Sequence, residues 1–330
     1  MADLELTFAG IDYLDRTRAL FAGSLQPAGI QLKCLTFGPY ELFQRVAQKV
    51  EFDVAEMSAS TYITLVSQGD RRYVAIPVFL SRLFRHGYIF VHGACDVREP
   101  ADLAGRRVGV PDYEMTAAVW QRAVLTHDYG VAPEQIRWFQ GGEFQPGFVQ
   151  RVKLDSRPGL SIEVIPEDQT LHEMVATGEI DAVLCPHTPA ALRDGSGRVR
   201  RLFGNYVEVE QDYYRRTGIF PIMHLVVVRR DLYERHPWVA ASLTAAFAQA
   251  QALGWMRMGE VGALAVMLPW LNRDLEEISQ VMGPDHWRYG FRENDVVLRA
   301  LCRYSYEQGL SARELTPEEI FAPETHDLRL

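Results

Sequence analysis

The strongest constraint on the fold is the alternation of strand and helix patterns between Leu4 and Phe79. Leu4 to Ala9 alternates apolar and polar side chains like an opening strand, and a polar turn over Gly10–Arg16 leads into a helix that ends near Gly23 or Gly29. Ile30 to Thr36 reads as a second strand, and Pro39 to Val50 carries Leu42, Phe43, Val46 and Val50 at helical spacing. Asp53 to Ser58 is a short third strand whose end presents Glu56 and Ser58; a helix over Ser60 to Gln68 and a strand over Tyr73 to Phe79 follow. Parallel neighbours need crossover connections, so a β-α-β-α-β order implies a largely parallel sheet covered by helices.

The stretch IPVFLSRLFRHGYIFVH, Ile76 to His92, leaves this segment. It reads as a strand, a turn from Ser81 and Arg82 to Arg85-His86-Gly87, and a second apolar strand over Tyr88 to Val91. An Arg-x-x-Arg-His cluster at such a seam can hold a carboxylate through guanidinium hydrogen bonds with a titratable group beside it. A solvated basic turn is the plainer reading. Next, a strand over Arg107 to Pro111 runs into a helix from about Glu114 to Asp128. Strand, tight turn and helix start form a ready anion site, because first-turn N–H groups are unpaired and the helix dipole favours negative charge there. Ile136–Phe139, Ser161–Ile165 and Asp181–Cys185 read as strands, Gln169 to Ala176 as a helix, and Gly141 to Gly159 as loop. Ile222 to Val228 is an unbroken buried strand, and everything from Pro237 onward is helical. The expected architecture is two-lobed. Residues 1–92 and 222–330 form one discontinuous lobe with the C-terminal helices, 93–221 form the other, and the ligand site lies in the cleft between them.

A net charge of −9 without a basic patch excludes nucleic acid and anionic membranes as partners. No apolar run approaches the ~20 residues of a membrane span, and MADLELTFAGID lacks the basic head and apolar core of a signal peptide, so a cytoplasmic protein is expected. Cys34, Cys95, Cys185 and Cys302 form no C-x-x-C pair and read as reduced, buried thiols. The nine histidines contain no H-E-x-x-H, and His86 and His92 are spaced unlike a standard ligand set, so spacing points to no metal. Gly141-Gly142 and Gly195-Ser196-Gly197 fit neither dinucleotide nor Walker spacing, and a G-x-S-x-G elbow is missing. What remains is a set of polar residues at strand ends, where ligands meet open α/β sheets. They are Asp15, Arg16, Glu56, Ser58, Arg82, Arg85, His86, Glu114, Thr116, His187 and His224. Each has a blander reading: an exposed helix start for Asp15 and Arg16, a satisfied buried hydrogen bond for Glu56, a core histidine for His224, a loop residue for His187.

The blocks DVAEMS (53–58), AIPVFLSRLFRHG (75–87), GRRVGVPDYEMTAAVWQR (105–122), TGEIDAVL (177–184), RTGIFPIMH (216–224) and LPWL (268–271) together resemble the 4,5-dihydroxyphthalate decarboxylase family, in order and over nearly the whole chain. The resemblance implies a type II periplasmic-binding-protein-like α/β fold in a cytoplasmic carboxy-lyase that converts 4,5-dihydroxyphthalate to protocatechuate and CO₂. One departure is GGEFQPGF at 141–148, where the family leads one to expect an acidic residue and an arginine close to the glycine and proline. A carboxylate para to a phenol leaves once its ring carbon is protonated, so no organic cofactor is needed. The protein must position two carboxylates, engage the catechol and supply an acid. On that basis Arg82 and Arg85 are assigned to the carboxylates, helped by Thr116 and the helix start at Met115, with Arg16 a third cation. Ser58 is a further substrate ligand. His86 is the first choice of proton donor and His224 the second, with Glu56 or Glu114 orienting the phenols. The alternatives are a solute-binding or sensing protein for an aromatic carboxylate, and a decarboxylase of a different aromatic acid. The surroundings of Trp238, Trp255 and Trp270 fit self-association and core packing equally.

Overall fold

A computed structural model describes residues 3–148, 150–152 and 159–330. The strands are β1 (Leu4–Gly10), β2 (Ile30–Thr36), β3 (Val54–Ser58), β4 (Tyr73–Arg82), β5 (Ile89–His92), β6 (Arg107–Val110), β7 (Arg137–Gln140), β8 (Ile162–Val164), β9 (Ala182–Leu184), β10 (Val199–Arg201) and β11 (Ile222–Arg229). The helices are α1 (Arg18–Phe21), α2 (Pro39–Gln48), α3 (Ala59–Ser67), α4 (Thr116–Tyr129), α5 (Leu171–Thr177), α6 (Tyr206–Thr217), α7 (Arg230–Arg235), α8 (Trp238–Met258), α9 (Leu271–Met282), α10 (Asp295–Glu307) and α11 (Pro317–Ile320), with short 3₁₀ turns between. The chain divides into two compact units. The first comprises Met1–Arg82, Ile222–Cys302 and Leu315–Leu330; the second comprises Leu83–Pro221 and Arg303–Glu314.

The first unit holds a five-stranded sheet in the order β2-β1-β3-β11-β4. β1 runs parallel to β2 and β3, whereas β11 lies antiparallel between β3 and β4. The apolar run of β11 is therefore flanked on both edges, and among Ile222–Val228 only His224 is not fully buried. Pro77 lacks an N–H and is tolerated because β4 is the edge strand; its carbonyl accepts from Gly290 N at 2.9 Å. β4 is longer than its sequence pattern predicts. Arg82 pairs with Ile222 and Ser81 with His224 across a local irregularity, so both residues belong to the strand and not to a turn.

The second unit holds a six-stranded sheet in the order β10-β5-β9-β6-β7-β8. β6, β7, β8 and β9 are mutually parallel; β5 is antiparallel to β9, and β10 antiparallel to β5. Ile89 to His92, expected in the first lobe, is thus part of the second sheet. Periodicity identifies a strand but carries no information about which sheet accepts it. Phe90, Leu171, Val175, Ile180 and Val183 pack one core of this unit, and Trp120 and Trp138 are fully enclosed. The loop reading of 141–159 holds for its described part, which contains neither helix nor strand; residues 149 and 153–158 lie outside the described residues. Among the described residues no helix is long and apolar enough to cross a membrane. Trp238, Trp255 and Trp270 all keep large exposed surfaces, and all four cysteines are free.

Arg82 closes the first unit onto a distant segment. Its Nη1 donates to Asn294 Oδ1 at 2.8 Å and to the Arg288 carbonyl at 3.1 Å, while Asn294 Nδ2 donates to the carbonyls of Gly290 and Arg288 at 2.8 and 3.0 Å. Both side chains are buried. Asn294→Ala removes a partner from a buried guanidinium and from two carbonyls, and should lower the free energy of unfolding in urea by about 2–3 kcal/mol. A change within about 0.5 kcal/mol, as at an ordinary surface position, would show the contact to be incidental.

Candidate functional site

In the first unit the register of β3 and β11 creates a polar cluster within an apolar sheet. His224 stands opposite Ser58, and Val226 opposite Glu56, so His224 and Glu56 are diagonal neighbours across the two strands. Glu56 is completely buried, yet its carboxylate meets three donors. Oε1 accepts from Tyr13 Oη at 2.7 Å and from His224 Nδ1 at 2.8 Å, and Oε2 accepts from Ile11 N at 3.1 Å. The turn after β1 brings Ile11 and Tyr13 to this point. It is tied by buried Thr17, whose hydroxyl accepts from Tyr13 N at 2.7 Å and donates to the Ile11 carbonyl at 3.0 Å. With Nδ1–H committed to Glu56, the other nitrogen of the neutral imidazole, Nε2, is the basic one. The ring is packed edge-on against Phe43 and remains 18% exposed.

Arg16 joins the same cluster. Its Cζ lies 3.8 Å from the centre of the Tyr13 ring and 4.6 Å from that of Trp287, its Nε donates to the Leu80 carbonyl at 2.6 Å, and Nη1 meets Asp15 Oδ1 at 2.5 Å. Burial, and then the Glu56 carboxylate, push the Tyr13 phenol well above its ordinary value, so it remains a hydrogen-bond donor at neutral pH. Four of the residues expected from sequence, Arg16, Glu56, Ser58 and His224, are thus brought together. Tyr13 and Ser81 join them without having been singled out. Arg82 donates to Asn294 and to the Arg288 carbonyl.

In the second unit the carboxyl ends of β6, β7 and β9 share one edge of the sheet, and antiparallel β5 begins there. Asp112–Thr116, Gly141–Glu143, Cys185–His187 and Arg85-His86 therefore occupy the same edge. The Arg85 guanidinium is buried 5.3 Å from the centre of the Tyr88 ring; burial draws its pKa down to about 10, against the pull of Tyr88, Cys185, Glu143 and Glu210. His86 is 2% exposed, lies against the rings of Phe203 and Tyr213, and burial lowers its pKa to about 4. Such a group is neutral at physiological pH, which removes the ground for preferring His86 as an acid. The enclosure comes from α6 and its approach, which no spacing around residue 86 could reveal.

The helix start at Met115 and Thr116 is crowded by its own carboxylates. Glu114 is fully buried, its N–H donates to Asp112 Oδ1 at 3.2 Å, and Arg151 lies 3.7 Å from Glu114 and 3.8 Å from Asp112. This is a poorer anion site than the strand-turn-helix order suggests. Gly141, Gly142, Pro146, Gly147 and Phe148 line a cavity of about 400 Å³ together with Val164–Glu167, so the loop that departs from the family pattern borders open space.

Glu210 sits 3.9 Å from His86 and accepts from Gly87 N at 2.9 Å; burial raises its pKa from 4.5 to about 7. A carboxyl whose pKa is raised on folding stabilises at low pH and loses that contribution as pH rises through the folded value. His86, depressed from 6.5 to about 4, works in the opposite sense between those values. Of these two groups Glu210 dominates above pH 6.5, so wild-type stability should fall between pH 6.5 and 7.5 relative to Glu210→Gln, which shares all other titrations, as read by urea midpoints. Parallel curves over that interval would refute the shift.

Several known proteins resemble the chain. No protein-family model matches it. A 4,5-dihydroxyphthalate decarboxylase of Comamonas testosteroni is 36% identical over 323 residues, covering 98% of both chains. A protein of the same name from Pseudomonas putida is 34% identical over 215 residues, 65% of this chain and 83% of that one. Among solved structures, the periplasmic aliphatic sulphonate binding protein SsuA of Escherichia coli covers 98% of this chain and 99% of its own, with a TM-score of 0.56 at 14% identity. At that identity the likeness establishes the fold, a two-sheet α/β fold of the periplasmic-binding-protein kind, and nothing about ligands.

Proposed function

The chain belongs to the 4,5-dihydroxyphthalate decarboxylase family, and we propose that it is a carboxy-lyase that converts 4,5-dihydroxyphthalate to protocatechuate and CO₂, with proton transfer centred on His224 and Glu56. The observation that carries the assignment is the hydrogen bond from His224 Nδ1 to buried Glu56, on a ring that is itself only partly buried. In the proposed step His224, as imidazolium, donates the Nε2 proton to the ring carbon that bears the carboxylate. The C–C bond electrons return to the ring as CO₂ leaves, and the neutral imidazole regains a proton from solvent. Glu56 fixes the ring orientation and balances the positive charge while it is present. Tyr13 and the Ile11 N–H hold Glu56 in turn, and Arg16, stacked on Tyr13, keeps a cation beside the cluster.

Incubating the purified protein with 4,5-dihydroxyphthalate should release CO₂ and protocatechuate. His224→Gln should lower kcat by about 10²–10⁴-fold with KM little changed, since a positioned acid acts chiefly in the transition state. Near-normal turnover in His224→Gln would end this assignment. Binding without turnover in the wild type would favour a solute-binding or sensing protein of the same fold, and neither binding nor turnover would favour a different aromatic acid. Arg85→Ala, measured separately, should raise KM more than it lowers kcat if Arg85 holds a substrate carboxylate; an unchanged KM would remove it from that role.

A further inference from the structure

Three residues far apart in sequence assemble a set of metal-ligand atoms in the second unit. Glu143, His172 and Cys185 each present one, and all lie within 4.8 Å of one another. The local structure explains the convergence. Gly142, where a Cβ would meet the Gln145 carbonyl at 2.0 Å, permits a tight turn after β7. The carbonyls of Gly142 and Glu143 then accept from Leu171 N and His172 N at 2.9 and 3.0 Å, docking the first turn of α5 against the loop. Cys185 follows β9 directly, two strands away in the same sheet.

We propose that Glu143, His172 and Cys185 form a binding site for a thiophilic divalent cation of the Zn²⁺ class, with His187 positioning Glu143. Distances support a tetrahedral arrangement. Typical Zn–S, Zn–N and Zn–O bonds of about 2.3, 2.05 and 2.1 Å imply tetrahedral edges of about 3.6 Å between sulfur and nitrogen and about 3.4 Å between nitrogen and oxygen. Cys185 Sγ lies 3.6 Å from His172 Nε2, and Glu143 Oε1 lies 3.4 Å from the same nitrogen. Thiolate, imidazole and carboxylate together suit a borderline-soft ion, and three protein ligands leave a fourth position for water or an anionic oxygen donor. The supporting contacts are those that ligands in metal sites ordinarily have. His187 Nδ1 donates to Glu143 Oε2 at 2.9 Å and His187 N to Oε1 at 2.9 Å, fixing the carboxylate. Glu143 and Cys185 are buried, whereas the His187 side chain is 54% exposed, so the cluster lies just beneath the surface. Arg85 acts electrostatically on both Glu143 and Cys185, and its charge opposes a cation, so the expected affinity is below that of structural zinc fingers.

Titrating the full chain with Co²⁺ gives a direct test, because coordination by a cysteine thiolate produces thiolate-to-cobalt charge-transfer absorption, and loss of the band in Cys185→Ser assigns it to Cys185 among the four free cysteines. The expected result is one equivalent per chain with that band, displaced by Zn²⁺, and a thermal midpoint raised by Zn²⁺. Cys185→Ser should abolish the band and weaken Zn²⁺ binding at least tenfold. His172→Gln should weaken it comparably, and His187→Gln by about 10-fold through the loss of support to Glu143. Absence of the band at saturating Co²⁺ would overturn the proposal, and this holds even if a variant fails to fold, since the wild type alone is measured. Equal Zn²⁺ affinity in wild type and folded Cys185→Ser would overturn it too, leaving the four side chains as an ordinary hydrogen-bonded cluster.

Discussion

The buried carboxylate of Glu56 depends on three donors from two distant places in the chain, the turn after β1 and strand β11. Removing a carboxylate from water without partners costs several kcal/mol, and losing one partner of a buried charge is strongly destabilising. Here the donors come from the backbone of Ile11, the phenol of Tyr13 and the imidazole of His224. They can meet only if β1 and β11 flank β3, which is the order found. Sheet order and site are therefore a single constraint. The strand β11, inserted antiparallel between two strands of the amino-terminal segment, delivers His224 and completes the core at once.

The stretch Ile76–His92 shows how near neighbours in sequence come to serve different cores. Arg82 ends β4 and binds Asn294 and the Arg288 carbonyl in the first unit, whereas Arg85, three residues on, lies at the edge of the second sheet. Within its own unit Arg82 holds the carboxyl-terminal segment, and within the other Arg85 is set among Tyr88, Glu143, Cys185 and Glu210. His86 shares Glu210 with Arg85. It is an enclosed neutral imidazole, paired in its setting with a carboxyl that titrates near neutrality.

Much of the fold was legible because it rests on local periodicity. The amino-terminal strand and helix alternation, the buried run of β11 and the helical carboxyl-terminal third all follow from side-chain spacing, and the family blocks run through nearly the whole chain. Pairings over long sequence separation were not legible. Glu56 and His224 could each be named, but their contact spans 168 positions, and Tyr13 reaches Glu56 only because β1 and β3 are neighbours. The same reason hides the Glu143, His172 and Cys185 cluster, which no ligand spacing announces. Arg82 misled because the length of β4 is set by its partner β11, not by its own pattern.

Whether Glu56 works through His224 can be measured directly with a double-mutant cycle on kcat for 4,5-dihydroxyphthalate. If the two form one proton-transfer unit, Glu56→Gln/His224→Gln turns over no more slowly than His224→Gln alone, the losses failing to multiply as they do for residues that act together. Losses that multiply, with the double variant slower than His224→Gln by the full factor seen in Glu56→Gln, would contradict it.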